Sequence, residues 1–265
     1  MVGPIAIAGI AAIAGGLYVL WNKHRAGELA DEGDGLRRQG RNREALAKYD
    51  EAVRRDWPGA RYHTRRGHAL CALGRAKDAL EAYRAAAERS PKSSAALTDV
   101  ARTLLWLDRP REAHNAANGA ISAFAGNSEA RRIAGEALWD MGMRKDAVHA
   151  MQELAHIHDT AGVRSRIAEM LHALKRHGEE LAELERAVEL DANDARLHHR
   201  IGLAKFFIGK DDPKRRRRLY REAISSFGRA LEIDKNHVEA HMSRDYARGQ
   251  LADLGPEGGA GTQGP

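Results

Sequence analysis

Thirteen histidines are the residues most open to a chemical reading. The densest group is His149, His156 and His158. On one helix, His149 and His156 would share a face but stand about two turns apart, too far for both to reach one ion. His198 and His199 are adjacent and would face different sides of a helix. No motif fixes a carboxylate beside either group, so no metal site and no cofactor is expected, and the histidines read as scattered surface residues. Cys71 is the single cysteine, which excludes an intramolecular disulfide and a multi-cysteine zinc site. It falls among small residues and reads as packed. The glycines form no phosphate-binding loop, and neither a nucleophile elbow nor a zinc-hydrolase motif occurs. An enzyme is therefore not expected.

Charge offers two further candidates. The run Lys210-Asp211-Asp212-Pro213-Lys214-Arg215-Arg216-Arg217-Arg218 is the densest in the chain. Its Lys214, Arg215, Arg216, Arg217 and Arg218 form a candidate contact for anionic lipid, against a reading as a solvated loop with a basic helix start. The net charge of +6 is spread over mixed-sign stretches, and no nucleic-acid partner is expected.

The elements that carry these residues follow from composition and period. Alanine, leucine, arginine and glutamate dominate, all good helix formers, so the fold expected is all-α. Val2 to Trp21 contains no charged residue, about the length of a bilayer-spanning helix. Tyr18 and Trp21 sit at its end and Lys23, His24 and Arg25 follow. This pattern predicts a transmembrane anchor over residues 1–25, with the remaining chain in the cytosol. The alternatives weighed are a signal peptide cleaved near Ala12-Ile13-Ala14 and a buried core helix. Ala8, Ala12 and Gly16 form a small-residue stripe through which two anchors could pair, giving a homo-oligomer.

Downstream, small residues recur at Gly33, Gly67, Ala101, Gly135, Ala168 and Gly202, a step of about 34 residues. A second series runs Ala45, Ala79, Ala113, Ala147 and Ala223. A third runs Ala52, Ala86, Ala120, Leu154, Ala187 and Ala230. Between the last two lie the large residues Tyr49, Tyr83, Met151, Leu184 and Phe227. Gly40, Gly74, Gly142 and Gly209 keep the same beat as turn residues, and Pro58 and Pro91 close helices. The small residues are expected where two helices of a hairpin cross, with each large residue filling the gap to the next hairpin.

The segments LGRAKDALEAYRAAAERSP (Leu73 to Pro91), RNREALAKYDEAVRRDWP (Arg41 to Pro58), LAELERAVELDAND and AISSFGRALEIDKNH resemble the second half of a tetratricopeptide repeat. The resemblance covers roughly residues 26–254 and implies a right-handed superhelical solenoid of about six helix hairpins. The repeats are set at 26–59, 60–93, 94–127, 128–160, 161–194 and 195–237. A polar capping helix at 238–254 and a disordered tail at 255–265 complete the chain. Departures from pattern are Asp108 for the turn glycine, Ala117 for the large residue, Glu180 for the alanine and an irregular joint at Asp159-Thr160-Ala161-Gly162. Looser packing is expected there, and Lys210 to Arg218 is read as an insertion between the two helices of the sixth repeat.

In this family the first helices line a concave groove that binds peptide or helical ligands. The resemblance thereby implies a partner-binding face of Arg37, Arg38, Arg61, His68, Arg102, Trp106, Arg132 and Trp139, with Asp140 beside them. Arginine and tryptophan are enriched at binding hot spots, and the mixture suits an acidic segment carrying apolar anchors. Family members that clamp the C-terminal carboxylate of a chaperone use basic and amide residues. The corresponding positions here hold Ala30, Asp34, Arg65, Ala95 and Asp99, and two acids would repel a carboxylate. The expectation is a membrane-anchored scaffold or adaptor for a protein partner, resembling bacterial inner-membrane assembly factors. Its alternatives are a self-assembling coat or assembly factor and a receptor of the mitochondrial precursor type.

Overall fold

The structure is a computed structural model that describes residues 4–55 and 59–255, with side chains from Ala14 onward. Among the described residues every regular element is a helix. They form two compact units, Met1–Met143 and Arg144–Pro265.

The first unit holds α1 (Pro4–Arg38), α2 (Asn42–Arg55), α3 (Ala60–Ala72), α4 (Ala76–Arg89), α5 (Ser94–Trp106), α6 (Pro110–Ala123) and α7 (Ser128–Asp140). Consecutive helices pack as the hairpins α1/α2, α3/α4 and α5/α6, and α7 lies against α6 and α5. The second unit holds α8 (Arg144–Ile157), α9 (Ala161–Ala173), α10 (His177–Leu190), α11 (Ala195–Asp211), α12 (Arg216–Ile233) and α13 (Val238–Ala252). Its hairpins are α9/α10 and α11/α12, with α8 against α9 and α13 against α12.

The small residues sit where hairpin helices cross. A Cβ added to Gly33 would lie 2.6 Å from the Tyr49 ring, and one added to Gly67 would lie 2.5 Å from the Tyr83 ring. Gly202 meets Phe227 in the same way. Tyr49, Tyr83 and Phe227 therefore each pack on the glycine of their own hairpin. Ala45, Ala79 and Ala113 are fully buried beside them.

One turn recurs. Arg41, Arg75, Arg109 and Arg176 each donate a backbone N–H to the carbonyl five residues back, at 2.9–3.0 Å. This Schellman closure needs a left-handed residue just before the donor. Gly40 (φ 74°) and Gly74 (φ 73°) supply it, while Asp108 (φ 56°) and Lys175 (φ 58°) adopt it without being glycine. Gly209 is not a turn residue. It lies inside α11, where an added Cβ would stand 3.1 Å from Leu219 and Tyr220. The expected insertion is mostly helical too. It lengthens α11 to Asp211 and starts α12 at Arg216, leaving a four-residue connection. First helices in later repeats are capped by Ser93, Asn127, Thr160 and Asp194, each accepting from a backbone N–H at the helix start. The joint expected to be loose is held. Asp159 pairs with Arg164 at 2.7 Å, and Arg164 also reaches Glu183 at 2.9 Å.

The expected anchor is corrected. Among the described residues no helix is long and apolar enough to cross a membrane. This overturns the single-pass placement with a cytosolic C-terminal domain. Within the described side chains the apolar stretch is only Ala14 to Trp21. Past it, Arg25 pairs with Glu28 at 2.8 Å, and Ala26, Leu29 and Ala30 are buried as part of a repeat's first helix. Residues 2 and 3 and the side chains of residues 4–13 of the expected span, Pro58 and residues 256–265 of the expected tail lie outside what the structure describes. The capping helix α13 is less polar than expected, since Val238, Met242 and Tyr246 are exposed along it.

Candidate functional site

All eight residues of the expected partner face belong to the first unit, and all lie on first helices α1, α3, α5 and α7. The repeat spacing sets these helices side by side. Arg65 of α3 reaches back to Asp31 at 3.4 Å and Asp34 at 3.2 Å on α1. His68 of α3 lies 3.6 Å from Asp99 on α5. Arg102 of α5 pairs with Asp99 at 2.8 Å and crosses to Glu129 of α7 at 3.3 Å. Arg132 returns to Glu129 at 2.8 Å. That hydrogen bond, more than any other influence, holds the Glu129 carboxyl below its ordinary range. The face thus carries ion pairs that link α1 to α3 and α5 to α7, with His68 set against Asp99 between them.

The sequence reading had Arg102 and Arg132 on this face and named Arg65, Asp34 and Asp99 only as clamp positions; Asp31 and Glu129, which share the face, it missed. The remaining expected residues fall out differently. Arg37 and Arg38 are exposed at the end of α1, and Arg38 Nε donates to the Asp34 carbonyl. Arg61 lies over the Tyr62 ring at 4.7 Å and bonds its hydroxyl. Trp139 is half-buried. Trp106, at the last residue of α5, is 56% exposed, which is unusual for the largest apolar side chain.

The basic run is tied down within the second unit. Arg215 pairs with Asp212 at 2.6 Å, and Arg218 lies 3.5 Å from Glu222. Arg216 donates to the carbonyls of Gly209 and Lys210 at the end of α11. Arg217 donates to those of Leu254 and Gly255 beyond α13. Two of the five cations therefore complete helix C-termini, where unpaired carbonyls favour positive charge.

A third constellation escaped the sequence reading. His172 Nδ1 lies 3.0 Å from both Glu180 oxygens, and His177 Nδ1 lies 2.9 Å from Glu180 Oε2. Glu180 is buried, at 1% exposure. His149 and His156 lie on α8, outside this group.

Residues 30–94 and 70–136 match two family models, each described as tetratricopeptide repeat. Residues 30–136 thus carry tetratricopeptide repeats. No curated protein sequence matches it. Solved structures share its fold. The C-terminal part of a TPR repeat-containing protein from Cytophaga hutchinsonii superposes with a TM-score of 0.68 at 14% identity, over 86% of this chain and 95% of that one. PilF of Pseudomonas aeruginosa gives 0.63 at 15% identity, over 85% and 99%. YrrB gives 0.57 at 16%, over 74% and 97%.

The tetratricopeptide register explains why the acidic member of the third constellation stands out. Glu180 occupies the position held by Ala45, Ala79, Ala113, Ala147 and Ala223 in the other repeats. Instead of the looser packing expected there, its carboxylate is enclosed and met by two imidazoles.

Proposed function

We propose that this repeat protein is a scaffold that holds a segment of a partner protein across the first-helix face of its first unit. Repeats of this family serve in general as protein-interaction scaffolds. YrrB, of the same fold, is described as having an unusual peptide-binding site. The observation that carries the reading is Trp106, exposed at the end of α5 one helical turn beyond Arg102, whose pairs reach Asp99 and Glu129. An exposed indole next to arginines is the composition of a binding hot spot.

These pairs refine the ligand. Arg102 and Arg132 already hold carboxylates, so a purely acidic segment would have to displace Asp99 and Glu129 from them. A fitting ligand places an apolar side chain on Trp106 and directs its acids to Arg37, Arg38 and Arg61, with Trp139 and His68 at the margin. This face does not supply the basic pair that a carboxylate clamp needs, because Arg65 is taken by Asp31 and Asp34.

Photo-crosslinking tests the proposal. A crosslinking amino acid at position 106 is expected to trap one heterologous protein in stoichiometric amount. The same group at Glu81, exposed on α4, is expected to trap none. Adducts formed equally from both positions, or only with further copies of the chain, would count against it, the second favouring a self-assembling coat.

A further inference from the structure

We propose that His172, His177 and Glu180 form a binding site for a single divalent transition-metal ion of the zinc class. The three residues are brought together by one turn of chain. His172 lies in the last turn of α9, His177 opens α10, and Glu180 follows one helical turn later. The closure from Arg176 N–H to the Leu171 carbonyl, at 3.0 Å, fixes their spacing.

One donor atom from each of the three lies within 4.8 Å of the others, and among the described residues no other trio does so. Nitrogen and oxygen ligands stand about 2.0–2.2 Å from zinc, so neighbouring donors around a tetrahedral ion are separated by about 3.3 Å. The contacts at 2.9 and 3.0 Å must open by only a few tenths of an ångström. The widest separation closes by rotation of His172, whose side chain is 43% exposed. That exposure also gives the ion a way in. Two imidazoles and one carboxylate suit zinc and its neighbours over calcium or magnesium, and three protein ligands leave a fourth position open.

The surroundings support a built site. Phe207 of α11 stacks on the His177 ring at 4.9 Å with planes 17° apart, and meets the His172 ring edge-on at 5.7 Å. Both ring planes are thereby set without occupying the donor atoms. Arg200, also on α11, feels the Glu180 charge and opposes an ion there. Its guanidinium is directed to Ser165 Oγ at 2.7 Å and to Glu169 at 3.3 Å. Burial alone argues against a purely structural glutamate. An enclosed carboxylate is costly, and the same position elsewhere in the chain is satisfied by alanine. An ion bridging α9 and α10 would offset that cost and fasten the hairpin.

The full-length chain, stripped with chelator, is titrated with zinc chloride by calorimetry and followed by thermal unfolding. One ion per chain and a rise in Tm with zinc concentration are expected. Glu180→Gln and His177→Gln are each expected to weaken binding by about tenfold or more. The double variant His149→Gln/His156→Gln is expected to leave it unchanged. Glu180→Ala, which restores the residue of the other repeats, is expected to fold without zinc and to lose the zinc-dependent rise. Absence of saturable one-to-one binding would overturn the site and leave a hydrogen-bonded trio. So would binding that survives both Glu180→Gln and Glu180→Ala.

Discussion

At the scale of residues, the fold rests on a pairing of very small with very large. Glycine in mid-helix ordinarily costs about 1 kcal/mol relative to alanine. Gly67 is retained in α3 because the Tyr83 ring fills the space a Cβ would take. Gly67→Ala is therefore expected to destabilise the chain by about 1–3 kcal/mol through overpacking, despite its better helix propensity. Gly228 in α12 has nothing within 4 Å of such a Cβ. Gly228→Ala is expected to stabilise by about 0.5–1 kcal/mol, and urea denaturation of both variants separates the two signs. The same tyrosines respond to alkali. Burial, and then donation from its hydroxyl to Asp34, pushes the Tyr49 phenol from 10.0 up to about 12. Burial moves Tyr83 in the same direction. A phenol that keeps its proton more tightly when folded adds stability that is complete below pH 10 and lost as the pH climbs toward about 12. Circular dichroism and tyrosinate absorbance should change together in that window, and Tyr49→Phe should reduce the dependence. The positions of these small and large residues were readable from spacing, but not that each ring packs on the glycine of its own hairpin. Glu180 was not, because spacing reveals that an alanine is missing but not that two imidazoles, five residues apart, fold back onto its replacement.

At the scale of elements, the period located the helices well because each hairpin repeats one turn geometry. The shared bond from the residue after the turn to the carbonyl five back is kept even where glycine is replaced. Asparagine and aspartate tolerate left-handed backbone better than lysine does. Lys175→Gly is therefore expected to stabilise the α9–α10 hairpin by about 1 kcal/mol, and Asp108→Gly to stabilise α5–α6 by less, both measurable by denaturant midpoint. Gly209 misled because it sits on the glycine beat while the helix runs through it. What it provides is close approach of α11 to α12, beside Leu219 and Tyr220. The basic run was read as a lipid contact or as a solvated loop with a basic helix start. Its arginines instead find carbonyls at the ends of α11 and α13, partners that no one-dimensional pattern exposes.

At the scale of the whole molecule, the chain comprises two units of stacked hairpins, each with its own buried alanine- and leucine-rich core. The N-terminal apolar segment pointed to a membrane, yet no helix among the described residues is long and apolar enough to cross one. Hydropathy stops being a guide where one helix, α1, continues from an apolar stretch into a repeat. The first-helix face was legible as a row of arginines and tryptophans. Its pairing was not, because which acid meets which arginine depends on which turn of one helix faces which turn of the next. The pairs preset this face, and the proposed function makes the exposed Trp106 its anchor. The most direct measurement is calorimetric titration of the partner trapped at position 106 against the unmodified chain and against Trp106→Ala. A loss of affinity of about tenfold or more, with circular dichroism unchanged, is the expected result. Equal affinity in a folded Trp106→Ala chain would contradict the assignment of this face.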